Sequence, residues 1–279
     1  MIKTLDTTTL LVRSDMSNDE YHGEKTHVSR SEAYRYRGIL GGRAQQWIDR
    51  GKGSLFSGNS STDFGTLVDV AFSAVCEGRK FESAVVCPPP DVLGAGGRRA
   101  GKAYQEWRSA LPPSAIECRE DDLGKVRDIL DSIMEHTVAR RLIEGTVSTQ
   151  ESVFWTDAEG HQRKARADGV TCSHWYDLKT TSKEWHELRY SFLRFGYHWQ
   201  SAWYQEAAAL SGRENPHRFP FIVVQVFAPY DVQVINLDQH TVNRARDEIR
   251  ETLNLIRDRR ITGDYVDRSY YDEVELALF

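Results

Sequence analysis

The chain is predicted to be an α/β protein in which a mixed sheet is flanked by helices. Three features carry that expectation. Strand-like segments cluster between residues 151 and 179, two more surround Ala228-Pro229-Tyr230-Asp231, and apolar residues at three- and four-residue steps mark helices on both sides of this block. Neither an internal repeat nor a linker composition interrupts the chain, so residues 1–279 are expected to form a single domain.

Residues 1–27 are polar without a sustained period and are expected to be an extended or partly ordered lead-in. Ser29 followed three residues later by Glu32 has the capping-box pattern, which starts a helix that carries Tyr34, Tyr36 and Ile39 and stops at Gly41-Gly42. After a Gly-, Ser- and Asn-rich loop from Gly51 to Ser61, the stretch Asp63 to Cys76 reads as a helix with Leu67, Val70, Ala71 and Ala74 inward. Pro88 to Lys102 combines a proline run with Gly-Ala-Gly-Gly-Arg-Arg-Ala-Gly-Lys and is expected to be an exposed loop. Leu123 to Leu142 has the clearest amphipathic pattern, with Val126, Ile129, Leu130, Ile133, Met134, Val138 and Leu142 on one face.

The period then changes. Glu151 to Thr156 and His161 to Val170 read as strands joined by a hairpin turn at Asp157-Ala158-Glu159-Gly160, and His174 to Lys179 reads as a third strand. Tyr190 to Leu210 is expected to be one aromatic-rich helix, Phe219 to Phe227 and Val232 to Leu237 two strands, and Thr241 to Arg259 a closing helix with Val242, Ala245, Ile249, Leu253 and Ile256 on one side.

Composition excludes several classes. With 40% hydrophobic and 28% charged residues the chain is an ordinary globular protein, and a run of eighteen apolar residues is absent. The start has no apolar leader, so a cytoplasmic protein without membrane attachment is expected. Cys76, Cys87, Cys118 and Cys172 are irregularly spaced and are expected to be reduced thiols. A net charge of −5 argues against a uniformly basic, DNA-coating protein. It is compatible with a protein in which carboxylates gathered to hold metal make one region locally acidic.

The chemistry is concentrated in Arg166-Ala167-Asp168 and Asp177-Leu178-Lys179-Thr180-Thr181-Ser182. Side chains two apart on a strand share a face, so Asp177 and Lys179 emerge together while Leu178 turns inward. If the two strands are neighbours, Asp168 lies beside Asp177, and two carboxylates plus the Leu178 carbonyl suit a hard, oxygen-seeking cation such as Mg²⁺. Lys179 would then stand by the attacking water, helping it lose a proton and offsetting charge in the transition state. A surface hairpin that merely carries Asp, Asp and Lys is the plain alternative. None of the nine histidines has a zinc-site spacing, and the cysteines do not form an iron–sulfur pattern.

These residues stand in an order that resembles the RecE-like (exonuclease VIII) branch of the PD-(D/E)XK nucleases, related to the lambda exonuclease and RecB nuclease families. The resemblance runs from Phe64-Gly65-Thr66-Leu67-Val68-Asp69 through Glu151 with Phe154 and Trp155, Arg166-Ala167-Asp168 and Asp177-Leu178-Lys179-Thr180-Thr181. It continues with Gly196-Tyr197-His198-Trp199-Gln200-Ser201-Ala202-Trp203-Tyr204 and the strand pair around Pro229-Tyr230. It implies a PD-(D/E)XK restriction-endonuclease-like fold with Asp168, Asp177 and Lys179 catalytic. Asp69, Asp168, Asp177, Leu178 and Glu151 would hold Mg²⁺ or Mn²⁺, as two ions. Gln200 and Tyr204, four apart on one helical face, match its Q-x-x-x-Y element and would orient a phosphate or the lysine.

Two departures stand out: Ala167 replaces the usual proline, which is not a ligand, and Asp69 occupies the place of a family histidine. Asp is itself an oxygen ligand, so Asp69 is kept. Arg166 and Lys183, with Arg98, Arg99 and Lys102 in the glycine-rich loop, are candidate DNA contacts; a solvated loop is the plain reading of the last three. The family implies 5′ to 3′ digestion of linear duplex ends in phage or prophage recombination, a homo-oligomeric ring and a single-strand annealing partner. An endonuclease on the same fold and a DNA-binding recombination scaffold with a decayed centre are the alternatives.

Overall fold

The structure, a computed structural model, describes residues 10–38, 40–53, 60–112 and 115–266. Its centre is the expected hairpin. β5 (Thr146–Thr156) and β6 (Gln162–Thr171) run antiparallel, with Glu151 opposite Ala167 and Trp155 opposite Arg163, around a turn in which the Asp157 carbonyl accepts the Gly160 N–H. β7 (Trp175–Thr181) follows β6 antiparallel, β8 (Phe221–Gln225) joins β7 in parallel, and β9 (Val232–Ile235) closes that edge antiparallel. β1 (Leu10–Arg13) borders β5, and the two-residue β2 (Val28–Ser29) pairs in parallel with the start of β6. The mixed sheet flanked by helices is as expected.

One layer packs α9 (Tyr197–Leu210) and α10 (Gln239–Thr262) against the sheet, with α2 (Arg30–Tyr36) and α8 (Leu188–Arg194) beside them. Its core holds Trp155, Trp175, Trp199 and Trp203, all nearly inaccessible. Three of these indoles keep a hydrogen bond when buried: Trp203 donates to the Lys164 carbonyl, Trp155 to Glu206 and Trp199 to Glu248. Val242, Ala245, Ile249, Leu253 and Ile256 of α10 face inward as their spacing predicts. The opposite layer sets α4 (Ser60–Cys76), α6 (Glu120–Glu135) and α7 (Thr137–Glu144) against Tyr176, Leu178, Ile222 and Val224. Strand alternation divides β7 between the two: Trp175 belongs to the first core, Tyr176 and Leu178 to the second.

The lead-in is more ordered than its composition suggested. Besides β1, α1 (Asn18–Gly23) has a full capping box between Ser17 and Glu20 and buries Tyr21; residues 1–9 lie outside the described residues. The Ser29–Glu32 capping box forms as predicted, but α2 ends at Tyr36, and a separate α3 (Gly42–Asp49) follows; the predicted inward Ile39 also lies outside the described residues. Leu67, Ala71 and Ala74 of α4 are buried and Val70 is half-buried.

Two predicted helices are each broken. Residues 123–142 divide because His136 adopts extended backbone and its Nδ1 accepts the Ala139 N–H at 3.2 Å, starting α7 afresh; Val138, expected inside, is 39% exposed. Residues 190–210 divide at Gly196, whose φ of 68° is open to glycine and whose missing side chain makes room for the Tyr34 ring, 2.8 Å from where a Cβ would stand. The 88–102 segment is partly tied down: Gly94 and Arg98 form a bridge, and α5 (Lys102–Ala110) begins where the loop was expected to end. Short β3 (Val85–Val86) and β4 (Ile116–Glu117) make a separate parallel pair. All four cysteines are free thiols, and no helix of the described residues is long and apolar enough to cross a membrane.

Candidate active site

The site forms where the sheet splits. β6 and β7 are paired only at Gly169–Tyr176 and Val170–Trp175, and the other end of the same β6 edge is taken by β2 at Arg163 and Lys164. Between these two pairings the ladder between the two strands is interrupted. Buried amides need a partner, and here the Asp168 carboxylate supplies it, its Oδ2 accepting the Leu178 N–H at 3.0 Å across the gap. The Asp177 N–H donates the other way, to the Pro220 carbonyl on the β8 side at 3.1 Å. Strand alternation therefore turns the whole Leu178 peptide edge, carbonyl included, toward the gap.

Asp177 and Lys179 project together toward α9, as two-residue spacing predicts. Asp177 is buried; its Oδ1 accepts from Gln200 Nε2 at 2.6 Å and its Oδ2 is ion-paired with the Lys179 ammonium. Lys179 Nζ also stands 5.1 Å from the centre of the Tyr197 ring, within cation–π range. Gln200 Oε1 accepts from Arg30 Nη2 at 3.2 Å, and Arg30 Nη1 is spent on the Phe195 carbonyl at 3.0 Å. This fixes which way the Gln200 amide faces: a guanidinium can only donate, so the amide oxygen turns to Arg30 and its NH₂ to Asp177.

Asp69 of α4 completes the group electrostatically. Desolvation by the surrounding walls, Lys179 pulling down and Asp177 pushing up, leaves the Asp69 carboxyl at about 7, although the residue keeps an accessible surface. Burial drives Asp168 well above the ordinary carboxyl range, reinforced by Asp177 and Asp69. Burial alone would lower Lys179, but Asp177, Tyr197 and Asp168 outweigh it and hold the ammonium charged, above the usual lysine range. Asp69 and Asp168, both raised, stand with the Asp177 carboxylate around a single cation, a donor set of hard oxygens short of positive charge, which fits a divalent metal. Among the described residues no three His, Cys, Asp or Glu side chains are already closed into a metal-holding cluster; here Lys179 is the counter-charge to Asp177.

The other predicted site residues divide. Gln200 is at the centre. Tyr204 packs its ring edge-on against Trp175 and Phe219, and its hydroxyl is raised to about 12, by burial first and then by Asp177. It is thus both an aromatic core residue and a neighbour of the acidic group. Glu151 is placed elsewhere: it is buried against Arg213, whose Nη2 donates to both its oxygens at 3.1 and 3.2 Å. Opposite Ala167 on β5, it has the opposing charge it needs without joining the three aspartates.

The predicted basic contacts are also largely spoken for. Arg166 donates to the Ser17 and Met16 carbonyls and lies over Tyr21, so it anchors the N-terminal segment. Lys183 pairs with Glu187 at 3.0 Å, Arg99 with Glu117 at 3.0 Å and with the Cys118 carbonyl, and Lys102 with Glu106. The Arg98 backbone forms a bridge to Gly94, while its side chain is exposed. Sequence reasoning missed Arg30 and the cation–π role of Tyr197. Arg30 meets Gln200 across 170 residues, and no local pattern announces such a contact.

A split mixed sheet with Asp168, Asp177 and Lys179 at the opening defines a nuclease-type domain of the PD-(D/E)XK class. The chain belongs to the family described as PDDEXK-like domain of unknown function (DUF3799), whose profile matches residues 45–263. A crystal structure of a presumed exonuclease from Eubacterium rectale is similar over 95% of this chain and 96% of that one, with a TM-score of 0.62 and 14% identity, a likeness of fold. No curated protein matches the chain. The expected PD-(D/E)XK kinship therefore holds for the family, and the expected fold holds with it.

Proposed function

We propose that the chain is a divalent-metal-dependent DNA exonuclease that hydrolyses phosphodiesters from the ends of linear duplex DNA. The observation that carries this reading is the meeting of Asp69, Asp168, Asp177 and Lys179 at one break in the sheet. Asp69, Asp168, Asp177 and the Leu178 carbonyl would hold Mg²⁺ or Mn²⁺, as two ions in the family's manner, with Glu151 left to its arginine. Such a cation would supply Lewis acidity toward a phosphoryl oxygen and make a water easier to deprotonate.

The chain's own residues supply the rest. In hydrolysis a water oxygen bonds to phosphorus, the bond to the leaving nucleoside oxygen breaks, and that oxygen gains a proton. Lys179, held charged, offsets the negative charge that grows on the phosphoryl oxygens. Gln200 holds one Asp177 oxygen in place, and Tyr197 steadies the ammonium from its other side. Exonuclease action, 5′ to 3′ polarity, a place in phage or prophage recombination, a homo-oligomeric assembly, a single-strand annealing partner and a cytoplasmic setting rest on the resemblance to the RecE-like branch.

The test is end-labelled linear duplex DNA with Mg²⁺ or Mn²⁺, beside supercoiled and covalently closed circles. Linear DNA should be consumed and circles spared. Efficient cutting of closed circles would make the chain an endonuclease on the same fold, and failure to cut any DNA with either metal would overturn the nuclease reading.

A further inference from the structure

Just outside the reaction centre the surface carries side chains that the hydrolysis does not use. Tyr190, Leu193 and Phe195, on α8 and at its C-terminal cap, are 61%, 58% and 51% exposed, although large apolar side chains this close together are usually covered or used. Each ring has an arginine against it: the Arg189 guanidinium lies 4.7 Å from the centre of Tyr190 and donates to its hydroxyl, and that of Arg194 lies 5.7 Å from the centre of Phe195. Among the described residues neither arginine has a carboxylate partner. The nearby Glu187 is matched by Lys183.

Phe195 leads from this exposed stretch to the site. The Phe195 ring stands 5.9 Å from Tyr197, and the Tyr197 ring is the one beneath the Lys179 ammonium. One aromatic ring thus separates an exposed phenylalanine from the predicted catalytic lysine. Its position is held from below: the Phe195 carbonyl accepts from Arg30, the Leu193 carbonyl accepts from the Tyr34 hydroxyl, and Gly196 turns the chain against Tyr34.

We propose that Phe195, with Tyr190 and the guanidinium groups of Arg189 and Arg194, is a stacking platform for unpaired bases of a single DNA strand adjoining the reaction centre. The proposal rests on the nuclease reading and adds the form in which DNA meets the site. Flat rings bind base faces with little regard to sequence, and arginines free of carboxylates bind the backbone phosphates between them. The charge of the patch favours a nucleic acid over an acid-poor protein surface, and the step from Phe195 through Tyr197 to Lys179 places the strand end where hydrolysis would occur.

Binding can be read without hydrolysis, on the full chain in EDTA, with single-stranded oligonucleotides carrying terminal 2-aminopurine or a terminal abasic unit. The parent should quench the 2-aminopurine and bind the abasic strand roughly tenfold more weakly, as loss of one base–aromatic stack implies. Phe195→Ala should lose both the quenching and the discrimination, Phe195→Tyr should keep both, and Arg194→Gln should lower the salt dependence of binding. A parent indifferent to the abasic unit, or a Phe195→Ala protein that quenches as the parent does, would overturn the platform; the abasic comparison needs no variant and so survives a folding defect. A parent that binds neither strand would overturn the platform and leave the patch to a protein partner. Because these readings need no metal, their failure is separate from a failure to hydrolyse DNA.

Discussion

Lys179 is the side chain on which the chemistry turns. It is held cationic by its neighbours and has one carboxylate in direct contact. Lys179→Ala should lower the rate of hydrolysis by on the order of a hundredfold or more while leaving DNA and metal binding largely in place, because a preorganised charge acts on the transition state more than on the ground state. Single-turnover rates beside calorimetric metal titration would show this, and a near-normal rate would leave Lys179 as only the partner of Asp177. By the resemblance, Asp69 stands where a histidine would be expected. Asp69→Ala should lose most activity, whereas Asp69→His should keep a measurable part and lean toward Mn²⁺, since imidazole suits Mn²⁺ better than Mg²⁺. An Asp69→Ala protein that stays active and prefers Mg²⁺ would remove Asp69 from the site. The Asp177–Lys179 pairing was legible from a spacing of two, because strand geometry alone decides it. Arg30 was not, since its meeting with Gln200 is a product of packing.

At the scale of elements, the site depends on where helices stop. The pattern between 190 and 210 carries no polar interruption that would end a helix, yet Gly196 separates α8 from α9 and so fixes both the Phe195 carbonyl toward Arg30 and the start of the helix bearing Gln200. Gly196→Ala should cost about 1–3 kcal/mol of stability, from a left-handed φ that alanine resists and from contact with the Tyr34 ring. Urea denaturation would measure it, with hydrolysis falling alongside as Gln200 loses its register. An unchanged midpoint would mean that Tyr34 moves aside freely and that the break does not depend on glycine. The hairpin, the closing helix and the Ser29–Glu32 cap needed no such tertiary knowledge, because each is set by residues within a few positions of one another.

For the molecule as a whole, the N-terminal segment is part of the construction and not an appendage. Lys164 and Arg166 on β6 donate to the carbonyls of Tyr21, Glu24, Ser17 and Met16, and β2 takes the β6 edge that β7 vacates. These two basic side chains therefore hold the segment that borders the split. Arg166→Ala should raise amide exchange in residues 16–24 while leaving the salt dependence of DNA binding unchanged. A phosphate contact would behave otherwise, since removing one lowers the slope against log salt by roughly 0.9. Mass-resolved hydrogen exchange and binding at several salt concentrations separate the two, and a reduced slope would return Arg166 to the DNA interface.

Asp168, Asp177 and Lys179 could be named from order and spacing, because a strand's two-residue period places side chains before any packing is known, whereas Gln200 enters through the family resemblance. Whether those strands stay paired could not be read in the same way. The gap between β6 and β7 arises because β2, from more than a hundred residues earlier, competes for the same edge, and because Asp168 satisfies the Leu178 amide that a neighbouring strand would otherwise take. The same holds for Glu151 and the basic residues, whose charges are visible in the chain while their partners, Arg213, Glu117 and the Ser17 carbonyl, are brought up by the fold. Local periodicity is a property of neighbours in sequence; the choice of a partner for a buried charge is a property of neighbours in space.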